Sequence, residues 1–146
     1  MTFKELEAKV LGWADSHELL KPENADKQFM KFIEEVFEYK TEFDILYSYR
    51  KYYRDREQDI PTTHTTEHER ITKKAKMEMG DIFVTLLIHC YQLGIDPVEC
   101  LEMAYKKIKD RKGKTVDGKF IKAEDLKEWK RRKWLKNCKK WTYKLK

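Results

Sequence analysis

From Phe29 to Leu46, and again from Ile71 to Leu93, apolar residues return at steps of three and four. That spacing gathers them on one side of an α-helix and does not fit the alternation of a half-buried strand. The first stretch carries Phe29, Phe32, Ile33, Val36, Phe37, Phe43 and Leu46. The second carries Ile71, Ala75, Met79, Ile82, Phe83, Leu86, Cys90 and Leu93. Two such helices need partners to cover them, so the chain should be a helical bundle. Five Gly and three Pro in 146 residues are too few for a turn-rich β-sandwich. Aromatics at 13% also argue against wholesale disorder, even with 40% charged residues.

Capping signals divide the chain further. Thr2 and Glu5 form a capping box ahead of Phe3, Leu6, Val10 and Trp13, a first helix that ends before Lys21-Pro22. Asn24 is placed to cap the second helix. Tyr47, Tyr49, Tyr52 and Tyr53 either extend it or belong to a looser segment, before a break at Asp59-Ile60-Pro61. Thr66 and Glu69 make a second possible capping box for the third helix, with Gly94 as its C′ residue. Asp96, Pro97 and Glu99 mark the start of a fourth helix with a stripe of Val98, Leu101, Ala104, Tyr105 and Ile108, ending near Lys112-Gly113. Asp117-Gly118 suggests a short hairpin, and Glu124 onward a final helix. The expected class is all-α: a bundle with a hairpin-like turn and a basic C-terminal helix. The expected division is residues 1–125 and 126–146, with 47–65 as an insertion or helix extension.

The net charge of +6 is unevenly spread. Residues 126–146 hold ten Lys+Arg against one acid and three of the four tryptophans, whereas residues 1–125 hold 22 basic residues against 25 acids. A basic amphipathic helix of this kind docks on its own bundle, a partner, a membrane surface or nucleic acid. Cys90, Cys100 and Cys138 form no CxxC pair, which points to a reducing compartment and buried packing rather than disulfides or structural zinc. The acid-bearing start lacks a signal-peptide core, and no apolar run is long enough to span a bilayer. A soluble, cytoplasmic protein is expected, in the host cytoplasm if a phage encodes it.

Two clusters of acids interrupt the apolar helices. Glu35 and Glu38 lie one turn apart on the second helix, and Glu78 and Asp81 repeat the device on the third. Acids at i and i+3 on facing helices can converge inward, where they repel unless cations neutralise them. Hard divalent cations suit such oxygen ligands, Mg²⁺ above all where phosphates are to be bridged. Equally, acids at this spacing are common on solvated helix surfaces. His64 and His68 lack the order of a zinc-binding HExxH and read as a polar helix start, and His89 as a satisfied core residue. No Gly-rich phosphate loop is present.

Glu34-Glu35-Val36-Phe37-Glu38 followed by Glu78-Met79-Gly80-Asp81 resembles the EExxE…ExxD signature of MazG-like nucleoside triphosphate pyrophosphohydrolases. The segments around Trp13–Leu19, Gln28–Lys31, Leu93–Leu101, Ala104–Gly113 and Asp117–Lys122 look like the phage-type branch of that family, in its order. The resemblance implies hydrolysis of an NTP or dNTP to the monophosphate and pyrophosphate, with Mg²⁺ (or Mn²⁺) as cofactor, in a homo-oligomer, dimer or tetramer. It implies Glu35, Glu38, Glu78 and Asp81 as metal ligands, with Glu34 either a base beside the metal or a structural salt-bridge partner; the catalytic carboxylates are then Glu34, Glu35 and Glu38. Lys31, Lys107 and Arg111 are the implied phosphate contacts. The 39 residues between Glu38 and Glu78 exceed the family's usual spacer, so the excess either lengthens the two helices or forms a lid whose tyrosines and arginines could stack on a base. The competing expectation is a non-enzymatic module that grips nucleic acid or protein through residues 126–146.

Overall fold

A computed structural model describes residues 1–133. The chain is mostly helical: α1 spans Phe3–Ser16, α2 Ala25–Arg54, α3 Thr65–Gln92 and α4 Pro97–Ile108. A two-stranded antiparallel sheet follows, β1 (Gly113–Val116) paired with β2 (Lys119–Lys122) in the register Gly113–Lys122 and Val116–Lys119. Residues 126–133 form α5. Short 3₁₀ turns at Pro22–Asn24 and Thr62–His64 lead into α2 and α3. Two compact units result, Met1–Glu99 and Cys100–Lys146. The step in charge at residue 125 lies inside the second.

The first unit is built on the pairing of α2 with α3. Phe29, early in α2, stacks beside His89, late in α3, and Tyr53 at the end of α2 bonds His64 at the start of α3, so the helices are antiparallel. Their facing positions follow a strict alternation of three- and four-residue steps. On α2 the buried or half-buried stripe is Gln28, Phe32, Glu35, Tyr39, Glu42, Leu46, Tyr49 and Tyr53. On α3 it is His68, Ile71, Ala75, Glu78, Ile82, Thr85, His89 and Gln92. Such a 3.5-residue period keeps one seam on one partner along the whole length. Ala14 of α1, fully buried, joins Leu87, Ile88 and Cys90 in the core, and Gln92 Nε2 donates to the Leu19 carbonyl at 2.7 Å.

Several expectations from spacing are met in detail. Thr2 and Glu5 make the reciprocal capping box. Asp96 Oδ1 accepts from the Val98 and Glu99 amides at 2.7 and 3.0 Å. Asp117 and Gly118 both take positive φ, 50° and 74°, as a two-residue turn matching the twist of its strands requires. Gly94 at φ 65° closes α3 with a Schellman pattern: its amide donates to the Tyr91 carbonyl, and that of Ile95 to Cys90.

Others are not met. Asn24 stands at the N-cap of α2 but makes no side-chain bond there, and Thr66 lies inside α3, whose N-cap is His64, also without one, because a 3₁₀ turn leads into each helix. The tyrosines continue α2, which runs to Arg54, and residues 55–64 connect it to α3, with a 3₁₀ turn at Thr62–His64. α4 stops at Ile108, short of Lys112. Of the apolar residues assigned to a packed face, Phe29, Phe37, Phe43, Phe83, Leu86 and Leu93 are exposed, and Leu87 and Ile88 are buried instead. Cys100 is exposed, unlike Cys90. His89 is not satisfied: its Nδ1 is buried without a hydrogen-bond partner among the described residues. Cys138 and most of the basic tail lie outside the described residues. Among the described residues, no helix is long and apolar enough to cross a membrane.

The C′ geometry gives a test. Nothing lies within 4 Å of a Cβ built on Gly94, so Gly94→Ala adds no clash and only the left-handed backbone penalty. Urea unfolding should show a loss of about 1–2 kcal/mol, and an unchanged midpoint would disprove the Schellman end.

A candidate metal centre between two helices

The seam between α2 and α3 mixes apolar and polar positions, and three carboxylates, Glu35, Glu42 and Glu78, stand on it. Helical spacing sets the outcome: Glu35 and Glu78 occupy stripe positions, and Glu38 follows Glu35 by one turn at the solvent edge. One carboxylate oxygen each from Glu35, Glu38 and Glu78 lies within 4.8 Å of the other two. Glu35 is buried, at 7% exposure, Glu78 half-buried and Glu38 exposed. The group thus has a floor inside the seam and a rim open to solvent.

Lys31 answers part of this negative charge. Its ammonium lies 2.9 Å from Glu35 and 3.0 Å from Glu34, one turn or so further along α2. Those hydrogen bonds push the lysine pKa well above its ordinary value. Glu38 moves the opposite way for a carboxylate. The charge on Glu35 first, then its own desolvation, raise its pKa above 4.5, with Glu34 and Glu78 adding to the repulsion and Lys31 opposing it.

Of the four acids expected as ligands, three meet. Asp81, one turn beyond Glu78 on α3, is exposed and is not a member of the group. Glu34 is exposed and bound to Lys31, which matches the salt-bridge alternative for it. Lys31 is engaged by carboxylates and does not present a free ammonium for phosphates. Lys107 and Arg111 belong to the second unit; Lys107 is exposed, and Arg111 lines a cavity of that unit with Phe120 and Trp129.

Two features escaped the sequence reading. Glu42 continues the acidic stripe seven residues after Glu35, is largely covered, and faces Lys74 across the seam at 3.9 Å. Its spacing was the available signal. At the far end, Arg50 Nε donates to His68 Nε2 at 3.2 Å, Tyr49 stacks on His68, and the Tyr49 hydroxyl donates to the His64 carbonyl at 3.2 Å. Here the two histidines join the helices.

The donor set suits a hard divalent cation. All three ligands are carboxylate oxygens, they come from two rigid elements, and they repel one another enough to hold a proton on Glu38 more tightly than usual. Oxygens around Mg²⁺ lie about 2.0–2.1 Å from the ion, so rotamer shifts of the exposed Glu38 would complete the approach.

The charge on Glu38 has a measurable consequence. Its raised folded-state pKa means that its ionisation opposes folding: the penalty is full above that pKa and disappears as pH falls below 4.5. Carboxyl NMR titration should find Glu38 shifted down in Glu35→Gln, which removes the main repulsion, and up in Lys31→Met, which removes the cation. The same titration curve in all three proteins would refute the grouping.

No protein family, curated protein or solved structure matches this chain.

Proposed function

We propose that this chain is a divalent-metal-dependent nucleoside triphosphate pyrophosphohydrolase. The observation that carries the reading is the convergence of Glu35, Glu38 and Glu78 from two antiparallel helices, at positions that match the acidic signature. Asp81 is the fourth ligand in this reading, joining from the next turn of α3. A bound Mg²⁺ would neutralise the triphosphate and lower the pKa of a water.

The chain's own groups do the rest. Glu35 and Glu78 fix the floor because helix packing holds them on the seam. Glu38, whose proton affinity is already raised, adjusts at the rim. Glu34, exposed and beside the group, accepts a proton from water as the water oxygen bonds to the α-phosphorus. The bond from that phosphorus to the bridging oxygen breaks, and pyrophosphate leaves with the electron pair. Until the cation and nucleotide arrive, Lys31 positions Glu34 and Glu35 by holding both.

A homo-oligomer completes the proposal. The first unit turns Phe37 outward at 69% exposure and Met30 at 63%, on a helix whose inner seam is already occupied. In this reading those side chains are where a second copy packs. The resemblance implies a homo-oligomer, and a second copy is the natural cover.

Incubation with a panel of NTPs and dNTPs plus Mg²⁺ should release equal amounts of monophosphate and pyrophosphate. Glu35→Gln and Asp81→Asn should abolish that release, and Lys31→Met should lower it roughly 10–100-fold, the usual cost of losing a group that orients a ligand. Release that survives Glu35→Gln or Asp81→Asn, or that needs no divalent ion, overturns the assignment. Light scattering should give a mass of at least two chains, and Phe37→Glu should reduce it.

A further inference from the structure

We propose that the second unit binds single-stranded nucleic acid in the cavity between its hairpin and α5, independently of any hydrolytic activity. The charge partition is the first ground. Met1–Glu99 contains 14 basic residues and 20 acids, whereas Cys100–Lys146 contains 18 basic residues and 6 acids. The chain's cationic character therefore belongs to the second unit, α4 and the hairpin included, and not to a tail alone.

A shaped site within this unit is the second ground. A cavity of about 450 Å³ opens where β2 meets α5, walled by the aromatic rings of Phe120 and Trp129 and by Arg111, Lys122 and Arg132. Two acids, Asp125 and Glu128, share the wall; Glu128 is tied to Arg132, while Lys122 pairs with Glu124 outside the cavity at 3.4 Å. Arg111 has no ion-pair partner among the described residues. Lys127, Lys130 and Arg131 on α5 have none either. The α5 helix is itself held on the hairpin, because Lys133 reaches Asp117 at 3.3 Å while lying 4.8 Å from the centroid of the Trp129 ring.

This combination matches one ligand chemistry. Arg111, unpaired in the cavity wall, and Lys127, Lys130 and Arg131 elsewhere on α5 would take the phosphates of an unpaired strand, and Phe120 and Trp129 the faces of its bases, since every base offers a face to stack. The cavity admits a single flat base, not a duplex. A membrane surface calls for a continuous apolar face that inserts below a cationic rim, and here Phe120 and Trp129 line a cavity whose wall they share with Arg111, Lys122 and Arg132. Single-stranded nucleic acid is the occupant that uses both features.

Fluorescence anisotropy with the full chain and a labelled twelve-residue oligothymidylate, across a series of KCl concentrations, tests this. Affinity should fall with salt, with a log–log slope of roughly −0.7 per phosphate contacted. Trp129→Ala should weaken binding roughly tenfold or more, and Trp129→Phe should restore most of it. Arg111→Gln with Arg131→Gln should make the slope shallower by about 1.4. Circular dichroism establishes that each variant is folded; if Trp129→Ala is not, the arginine pair decides. Three results would each overturn the proposal: no salt-sensitive binding, wild-type binding by the folded arginine double variant, or binding to phosphatidylserine vesicles that the oligonucleotide does not displace.

Discussion

Glu35 sets the terms for the first unit. A carboxylate at 7% exposure on a helix seam must keep a partner or give up its charge. Lys31 is that partner, four residues back on the same helix, with an exposed side chain whose ammonium reaches the buried carboxylate. The pairing lets a charged group sit on the buried stripe, and its helical spacing then brings Glu38 beside it and Glu78 opposite. The Lys31 ammonium is divided between Glu35 and Glu34, so Glu38 and Glu78 keep their repulsion. That residual repulsion is the property a cation would relieve, and it persists because Lys31 is already committed to Glu34 and Glu35.

The helices, their order and most of their ends were legible from local chemistry. Capping side chains, a positive-φ glycine and an Asp-Gly turn act within four or five residues, so residue type and spacing determine them. The seam was harder to read because it is not apolar. Reading hydrophobic residues alone selected Phe29, Phe37, Phe83 and Leu86, which face outward, and passed over Gln28, Glu35, Glu42, Thr85 and Gln92, which lie inward. A search for the most regular three–four alternation, whatever the residue polarity, would have found both stripes. The acids of the candidate site were legible for the opposite reason: their motif is local, and three of its four ligand positions converge once the helices pair. Asp81, exposed and one turn beyond Glu78 on α3, is not among the three.

The extra length between the two acidic motifs is used to clamp the helix pair at its far end. Arg50, Tyr49 and Tyr53 on α2 meet His64 and His68 at the start of α3 through hydrogen bonds and ring stacking. These polar and aromatic contacts do there what apolar packing does near Ile88. They account for Tyr49 and Tyr53, two of the four tyrosines before the turn, a stretch that pattern reading could assign equally to a helix or a loose segment.

Charge also constrains the order of events in the proposed reaction. Glu35, Glu38 and Glu78 repel the phosphates of a nucleotide as strongly as they repel one another, and Lys31 is held by Glu34 and Glu35. A triphosphate arriving alone would therefore meet net negative charge at the floor of the site. Arriving with a divalent cation, it would bring the positive charge that the carboxylates lack, and the cation would compete with Lys31 for Glu35. Displaced from Glu35, the ammonium would be free to meet a phosphate oxygen. Lys31 would then be a counter-ion for carboxylate before binding and a phosphate contact afterward, which reconciles the role implied by resemblance with the pairing seen between the helices.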